Sequence, residues 1–418
     1  MATLPLLLRR ARRALRNFSM SGSTSSSDEA PAAATTAADD DWRYTGTPAP
    51  LLLAPMVRVN TLPFRLLAAE HGAHMVYSEE LVDRSVSSCT RRVNAALNTV
   101  EFVRPGSDSS RPQLIFSTKP HERVAFQLGT ADAAEALRAA RVVADDVRAI
   151  DVNMGCPVKF SLQGGMGSAL LTQPEKVRDI LTTLVRNLGG KPVTCKIRLL
   201  ESPAETLQLC RAIAECGVAA LAVHARRRHD RPRHWAQWDQ VALLRDALPK
   251  SLPLVLNGDV FSPDDVPRAL AATGADALML ARGAMWNPSL FDRGRAALAP
   301  PHEVVGRYVE LAEAHANSYG NTKYVCMQML EGYGKTAPHR LLQKAKDYPA
   351  MRAAVAAMRA DPAFAGPTRV PTVLEPAPDL PPERTVALPV NAWRHVAPHV
   401  SGLLKRSREA AEAASEGT

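Results

Sequence analysis

Eight short, nearly unbroken apolar runs recur through the middle of this chain, and they restrict its fold more than any other feature. They lie at Leu51–Met56, Met75–Leu81, Val124–Gly129, Ile150–Gly155, Val193–Leu199, Ala220–His224, Leu254–Gly258 and Ala277–Ala281. Runs of this length without polar alternation read as strands buried on both faces, the habit of parallel sheets covered by helices. The intervals mostly carry helical spacing: Leu137, Ala140, Val143 and Ala144 repeat on one face, as do Val177, Ile180, Leu181 and Leu184. Eight such strands alternating with helices predict an α/β fold, a closed (β/α)8 TIM barrel over residues 48–300. An open doubly wound sheet is the competing architecture, but no GxGxxG follows the first strand, where a dinucleotide fold needs it. The polar segment Ser85–Lys119 breaks the repeat and is expected to cover part of one mouth.

The flanks have a different composition. Residues 1–19 are rich in arginine, leucine and alanine and hold no acid, and Ser- and Ala-rich stretches follow. That is the make-up of an organellar transit peptide, and Leu6-Leu7-Leu8 is too short for a secretory core. A cleaved leader within 1–47 would send the protein to a mitochondrion or plastid; a leader bypassed by starting at Met20 would leave it in the cytoplasm or nucleus. After Pro300-Pro301 the strand signal stops. Val304, Val305, Tyr308, Leu311 and Ala312 share a helical face, so 301–360 is expected to form a small all-helical domain. Residues 361–418 turn Pro-rich and then Ala/Glu-rich, the composition of a linker and a loosely held tail.

Charge narrows the partner. The chain has 51 Lys and Arg against 42 Asp and Glu, a net charge of +9. Five arginines and five acids cancel within the first 41 residues, so the excess sits on the body and favours a polyanion. No apolar run is long enough to span a bilayer, and no membrane partner is expected. Six cysteines without a CxxC or zinc-like spacing imply neither a disulfide framework nor a metal site. Oligomeric state is not legible here; a monomer is the default expectation.

Barrels of this kind place chemistry at the C-terminal ends of their strands. Strand one is followed by Pro55, Met56 and Val57, and strand three carries Gln127. Strand four runs into Asn153 and Cys156, strand five carries Lys196, and strand six ends at His224. Strand seven ends in Asn257-Gly258-Asp259 and strand eight in Ala281-Arg282-Gly283. Singly, each has a plain explanation: a snorkelling lysine, a half-buried imidazole, an Asn-Gly turn, a core thiol. Their recurrence on one rim points to chemistry. Pro157 discourages helical φ/ψ at Cys156, which holds the sulfur on an extended turn, and the glycines at 164, 165 and 167 let backbone pass close by. Gly258 and Gly283 fall after strands seven and eight, where barrels bind phosphate. A cofactor with a phosphate and a large flat ring would use these positions, with Lys196 or His224 near an electron-rich ring atom. FMN fits; FAD or NAD would call for the missing dinucleotide fold.

The segments LAPMVRVNTLPFRLLAAEHGA, FQLGT, DVNMGCPVKFSLQGGMGSALL, VTCKIR, NGDV, ARGAMWNPSLF and NTKYVCMQML closely resemble the tRNA-dihydrouridine synthases. The likeness is strongest to the eukaryotic branch that modifies uridine 20 of the D-loop, and it covers about residues 50–350. It implies an FMN enzyme that uses NADPH to reduce the C5=C6 bond of a uridine in tRNA. By matching motif, it implies Pro55, Met56 and Val57 along the isoalloxazine, and Gln127, Lys196 and His224 as hydrogen-bond partners of the flavin. Asn257, Gly258, Asp259, Ala281 and Arg282 would lie near the ribityl phosphate, and Cys156 would give a proton to C5 once hydride reaches C6. The uracil must be turned out of the D-loop to react. Asn153 and the basic loop Arg226, Arg227, Arg228, Arg231 and Arg233, closed by Trp235, are the candidates for holding tRNA; a solvated loop is the plain alternative. Two departures stand out. His224-Ala225-Arg226 replaces the usual His-Gly-Arg, with a methyl group that could crowd the flavin, and 361–418 holds nothing like a double-stranded-RNA-binding domain. A flavin dehydrogenase of free dihydropyrimidines and a non-catalytic tRNA-binding barrel are the competing readings.

Overall fold

The computed structural model describes residues 44–106, 112–368 and Leu374; the proposed leader and most of the Pro-rich tail lie outside the described residues. Eight parallel strands form the centre: β1 (Leu51–Leu53), β2 (Met75–Tyr77), β3 (Val124–Gly129), β4 (Ala149–Met154), β5 (Val193–Leu199), β6 (Ala220–Arg227), β7 (Leu254–Asn257) and β8 (Ala277–Leu280). Each pairs with its successor in the chain, and β8 returns to β1 with Leu278 opposite Leu51, so the sheet closes into a (β/α)8 barrel.

Alternation along each strand sorts the side chains. Leu51, Val76, Phe126, Ile150, Val223 and Leu256 face outward into the core beneath the helices. Leu52, Met75, Ala125, Ala149, Ala220, Ala222 and Ala277 face inward. The inward alanines leave room for two tyrosines: the hydroxyls of Tyr44 and Tyr77 meet at 3.0 Å, and the Tyr44 hydroxyl lies 3.2 Å from Met75 Sδ. On the outside, Pro174–Asn187 buries Val177, Ile180, Leu181 and Leu184, the stripe its spacing requires. Asp132 caps Ala133–Val143 by accepting from the amides of Ala134 and Glu135.

Between β2 and β3 the usual helix is replaced. A short helix, Asp83–Ser87, leads into an antiparallel sheet of Thr90–Asn94, Thr99–Arg104 and Gln113–Thr118. Phe102 stacks on Phe116 at 5.7 Å, and Phe116 meets Phe126 of β3 edge-on at 4.9 Å. Because Phe126 points outward, the packed face of this insert seals the barrel wall where a helix would lie, instead of the mouth expected from its polarity. Arg65 of the helix Leu62–Glu70 fastens it, donating to Glu122 at 2.8 Å and to the Ser117 carbonyl at 2.6 Å.

Helices Pro301–Ala314, Tyr319–Met329, Ala337–Lys344 and Tyr348–Ala360 follow the barrel. They do not have a separate core: Val304, Val305, Tyr308, Val325, Met329 and Met358 belong to the same apolar cluster as the barrel's outer layer. Tyr308 packs edge-on against Phe64 at 6.0 Å. Asn321 donates to the Arg58 carbonyl at 2.7 Å, and the Arg58 guanidinium lies 3.9 Å from the centre of the Tyr324 ring. The loop after β1 is therefore fastened to the helical region. Among the described residues no helix is long and apolar enough to cross a membrane, and no group of His, Cys, Asp and Glu is arranged to hold a metal ion.

Candidate active site

The inward-facing residues become polar as the strands reach one end of the barrel. Asp151 is fully buried and accepts from Thr194 Oγ1 and Gln127 Nε2, both at 2.7 Å. Burial pushes its carboxyl up to about 6 in spite of those bonds. Gln127 also accepts from Asn153 Nδ2 at 3.2 Å, so a chain of side-chain bonds climbs from the core to the rim. Asn153 then turns the chain: its Oδ1 accepts from the amides of Gly155 at 2.8 Å and Cys156 at 3.1 Å. This largely buried asparagine shapes the cysteine loop.

Cys156 is half-buried, with Ser161 Oγ 3.4 Å from its sulfur. Burial raises the thiol above its ordinary value, and the neighbouring Glu80 raises it further. The glycine-rich stretch downstream passes against this loop. Ser168 donates to the Cys156 carbonyl at 2.9 Å, and a Cβ on Gly167 would come within 2.6 Å of that oxygen, so only glycine fits there. The remaining cysteines of the barrel and helices, Cys195, Cys210, Cys216 and Cys326, are buried packing residues, as their positions in the sequence suggest.

Beyond Cys156 the mouth opens into a cleft of about 380 Å³ whose lining includes five arginines (Arg198, Arg226, Arg228, Arg231 and Arg282) and two aspartates (Asp230 and Asp259). The cations repel one another. Burial, then the charge of Arg226, lowers both Arg198 and Arg282 to about 10. Burial, then Arg198, lowers Lys196 to about 7. His224 falls well below its ordinary range through burial and four surrounding cations, which leaves a neutral imidazole. Such a surplus is relieved by an anion. Backbone geometry makes room for one: Gly258 has φ +134, and a Cβ there would lie 2.9 Å from that of Ala236. Asn257 Nδ2 is committed to the Met279 carbonyl at 2.7 Å, and Ala281 lines the cleft beside Arg282. Pro55 and Met56 are partly exposed above β1, and Val57 is exposed.

Three sequence assignments change in detail. Asp259 accepts from Arg226 Nη2 at 2.5 Å, Arg282 Nη2 at 3.0 Å and the Ala236 amide at 2.6 Å; a carboxylate so placed organises the cations and does not bind phosphate itself. The basic loop is not uniformly exposed. β6 continues to Arg227, so Arg226 is 3% exposed and bonded to the His234 carbonyl and Asp259, while Arg227 is 7% exposed and paired with Asp230 at 3.0 Å. Arg228, Arg231 and Arg233 are exposed, and Trp235 is buried with Phe261 and Trp286. Ala225 faces the outer core, so its methyl group does not reach the mouth. Glu80 is missing from the sequence-derived site, and Arg198 is legible in the sequence only as the cation that ends strand five, without a role. Arg198 donates to the Gly155 carbonyl at 2.8 Å and so braces the cysteine loop from β5.

A family model described as "Dihydrouridine synthase (Dus)" matches residues 52–340, nearly the whole barrel and most of the helical region. The chain belongs to this family. The tRNA-dihydrouridine(20) synthase [NAD(P)+] of Schizosaccharomyces pombe is 38% identical over 309 residues, covering 71% of this chain and 62% of the relative. Its namesake from Saccharomyces cerevisiae is 36% identical over 296 residues, covering 68% of this chain and 77% of the relative. The tRNA-dihydrouridine synthase B of Pectobacterium carotovorum is 35% identical over 244 residues, 58% of this chain and 70% of the relative. The chain thus spans less than two thirds of the fission-yeast synthase it matches and about three quarters of the budding-yeast one. Within the dihydrouridine synthase fold, the cysteine loop and the cationic cleft lie side by side on one rim.

Proposed function

We propose that this protein is a tRNA-dihydrouridine synthase that carries FMN, takes reducing equivalents from NADPH and reduces the C5=C6 bond of a D-loop uridine, with position 20 as its target. The observation that carries the reading is a thiol held in its protonated form, on a braced loop, beside a cleft with an unpaired surplus of positive charge. The names of its relatives supply the reaction and the position.

When bound, FMN supplies the hydride that reaches C6. Arg282 and the backbone at Gly258 and Ala281 would hold its phosphate, with Asp259 fixing the arginines. Lys196, the neutral His224, Asn257 and the remaining amide hydrogen of Gln127 would meet its ring system and side chain, under Pro55, Met56 and Val57. The rest is done by the chain's own groups. Asn153 and Arg198 set the loop geometry, and the Cys156 S–H delivers a proton to C5. A stacked uracil cannot reach this depth, so the base must swing out into the cleft.

The exposed Arg228 and Arg231 at the cleft lip are the groups of the basic loop best placed for tRNA phosphates. Replacing both with alanine should lower the slope of log affinity against log salt by about 1–2. Flavin content should stay at the wild-type level; its loss would assign these arginines to the cofactor phosphate instead.

The reading is tested by incubating the purified protein with NADPH and an unmodified tRNA transcript and mapping the product by mass. A gain of two hydrogens at a single D-loop uridine is expected. Turnover of free uracil with none on folded tRNA would favour a small-molecule dehydrogenase.

A further inference from the structure

Directly after Cys156 the chain turns outward. Pro157, Val158, Lys159 and Phe160 are exposed in succession, and Phe160, at 66%, is the one exposed ring among the described Phe, Tyr and Trp residues. A lone apolar side chain in solvent is ordinary on a protein surface. The position of this one is not. It stands four residues from the thiol, and Val57 and Val158, also more than half exposed, follow β1 and β4 on the same rim.

The turn that carries the ring, Lys159–Gln163, is fixed from its inner side. Ser161 is buried with its hydroxyl 3.4 Å from the Cys156 sulfur, and its carbonyl accepts from the amide of the buried Met166 at 2.8 Å. The Phe160 carbonyl accepts from the Gly164 amide at 3.1 Å, and a Cβ on Gly164 would come within 2.9 Å of Met166 Cε. Ser161 and Met166 pack into the protein while Phe160 is left outside. The backbone holds the ring in place before any partner arrives, so little ordering remains to be done on binding.

Charge decides what the ring can meet. Pro157 leads into this turn and also lines the cationic cleft, where five arginines face two aspartates. Lys159, next to the ring in sequence, adds another exposed cation. An apolar patch on a protein partner would have to desolvate these charges as well. An unpaired nucleobase brings a flat π face on a strand of phosphates, and so satisfies the ring and the cations together. A uridine that swings into the cleft also leaves the base beside it uncovered on one face.

We propose that Phe160 is a stacking platform for an unpaired base of the tRNA, the neighbour left uncovered when the target uridine enters the cleft. The proposal rests on the proposed function and adds a base contact to the phosphate contacts of the arginine lip. Stacking tolerates any base, so the ring fixes where the strand lies and not which base it meets.

The test is equilibrium binding of unmodified tRNA to the purified full-length protein over a range of salt. Phe160→Ala should weaken binding by about tenfold with the wild-type slope of log affinity against log salt, because a stack releases no counterions. Phe160→Leu, apolar but without a ring, should fall close to Phe160→Ala. Phe160→Trp should bind at least as tightly as wild type, and tRNA should quench its added fluorescence beyond the change seen in the wild-type protein. Wild-type affinity in Phe160→Ala would overturn the proposal and leave the ring to another partner. Wild-type affinity in Phe160→Leu would overturn it too, since bulk alone would then suffice. A shallower salt slope in Phe160→Ala would mean displaced cations and would equally count against stacking. A wild-type protein that binds no tRNA counts against the proposed function; binding that Phe160→Ala retains in full counts against Phe160 alone.

Discussion

Cys156→Ala should slow uridine reduction by about 10²–10⁴-fold while leaving the reduction of bound flavin by NADPH near the wild-type rate. The asymmetry follows from where the sulfur sits. Cys156 lies on the loop after β4, whose backbone is braced by Asn153, Arg198 and Gly167, and its small side chain meets Ser161 and Glu80 at the rim. Removing the thiol therefore takes away a proton and leaves the cleft standing. Stopped-flow spectra of the two half-reactions separate the cases. Loss confined to the oxidative half-reaction fits an acid; equal loss of both would make Cys156 a structural residue.

Asp259→Ala is the second large effect, and it falls on folding and cofactor retention. The carboxylate accepts from two guanidinium groups and a backbone amide at the end of β7. Without it, Arg226 stays almost fully buried beside Arg198 and Arg282, with the carbonyls of Pro232 and His234 and the His224 ring, all neutral, to meet it. Breaking a buried ion pair from one side costs about 3–5 kcal/mol. For a domain of this size that lowers Tm by roughly 5–10 °C. The left-handed backbone at Asp259, φ +59, adds to the strain for alanine. Thermal unfolding and flavin content of the purified variant check both parts. Asp259→Asn, which tolerates that conformation and keeps one acceptor, should lose less; a wild-type melting curve for Asp259→Ala would contradict the counter-ion role.

The barrel was legible because each strand is short, apolar and buried on both sides, so eight runs could be located without knowing their partners. Errors arose where a distant residue decides the outcome. The apolar run through Leu81 hid a strand break after Tyr77, and with it the rim position of Glu79 and Glu80. The break exists because Leu81 and Val82 pair with β3 instead of continuing β2 along the same line. The apolar run of β6 ends at His224, yet the strand continues through the first two of the three arginines that follow Ala225. Asp259 and Asp230 neutralise two of them, and nothing local in the sequence announces that pairing. The insert looked like a polar cap because its strands expose one face; the buried face rests on a few residues, chiefly Phe102 and Phe116. The rim residues themselves were readable, since a polar group ending an apolar run is a local signal. Their division of labour was not. Asn153 as a loop brace and Asp259 as a counter-ion emerge only from distances.

The account stands most directly on a single-turnover experiment. The purified yellow protein, reduced by NADPH without oxygen and freed of excess nucleotide, is mixed with unmodified folded tRNA. The flavin band should return at a rate set by the tRNA, with one dihydrouridine formed per flavin reoxidised. A flavin that stays bleached, or one reoxidised without dihydrouridine in the tRNA, would contradict it.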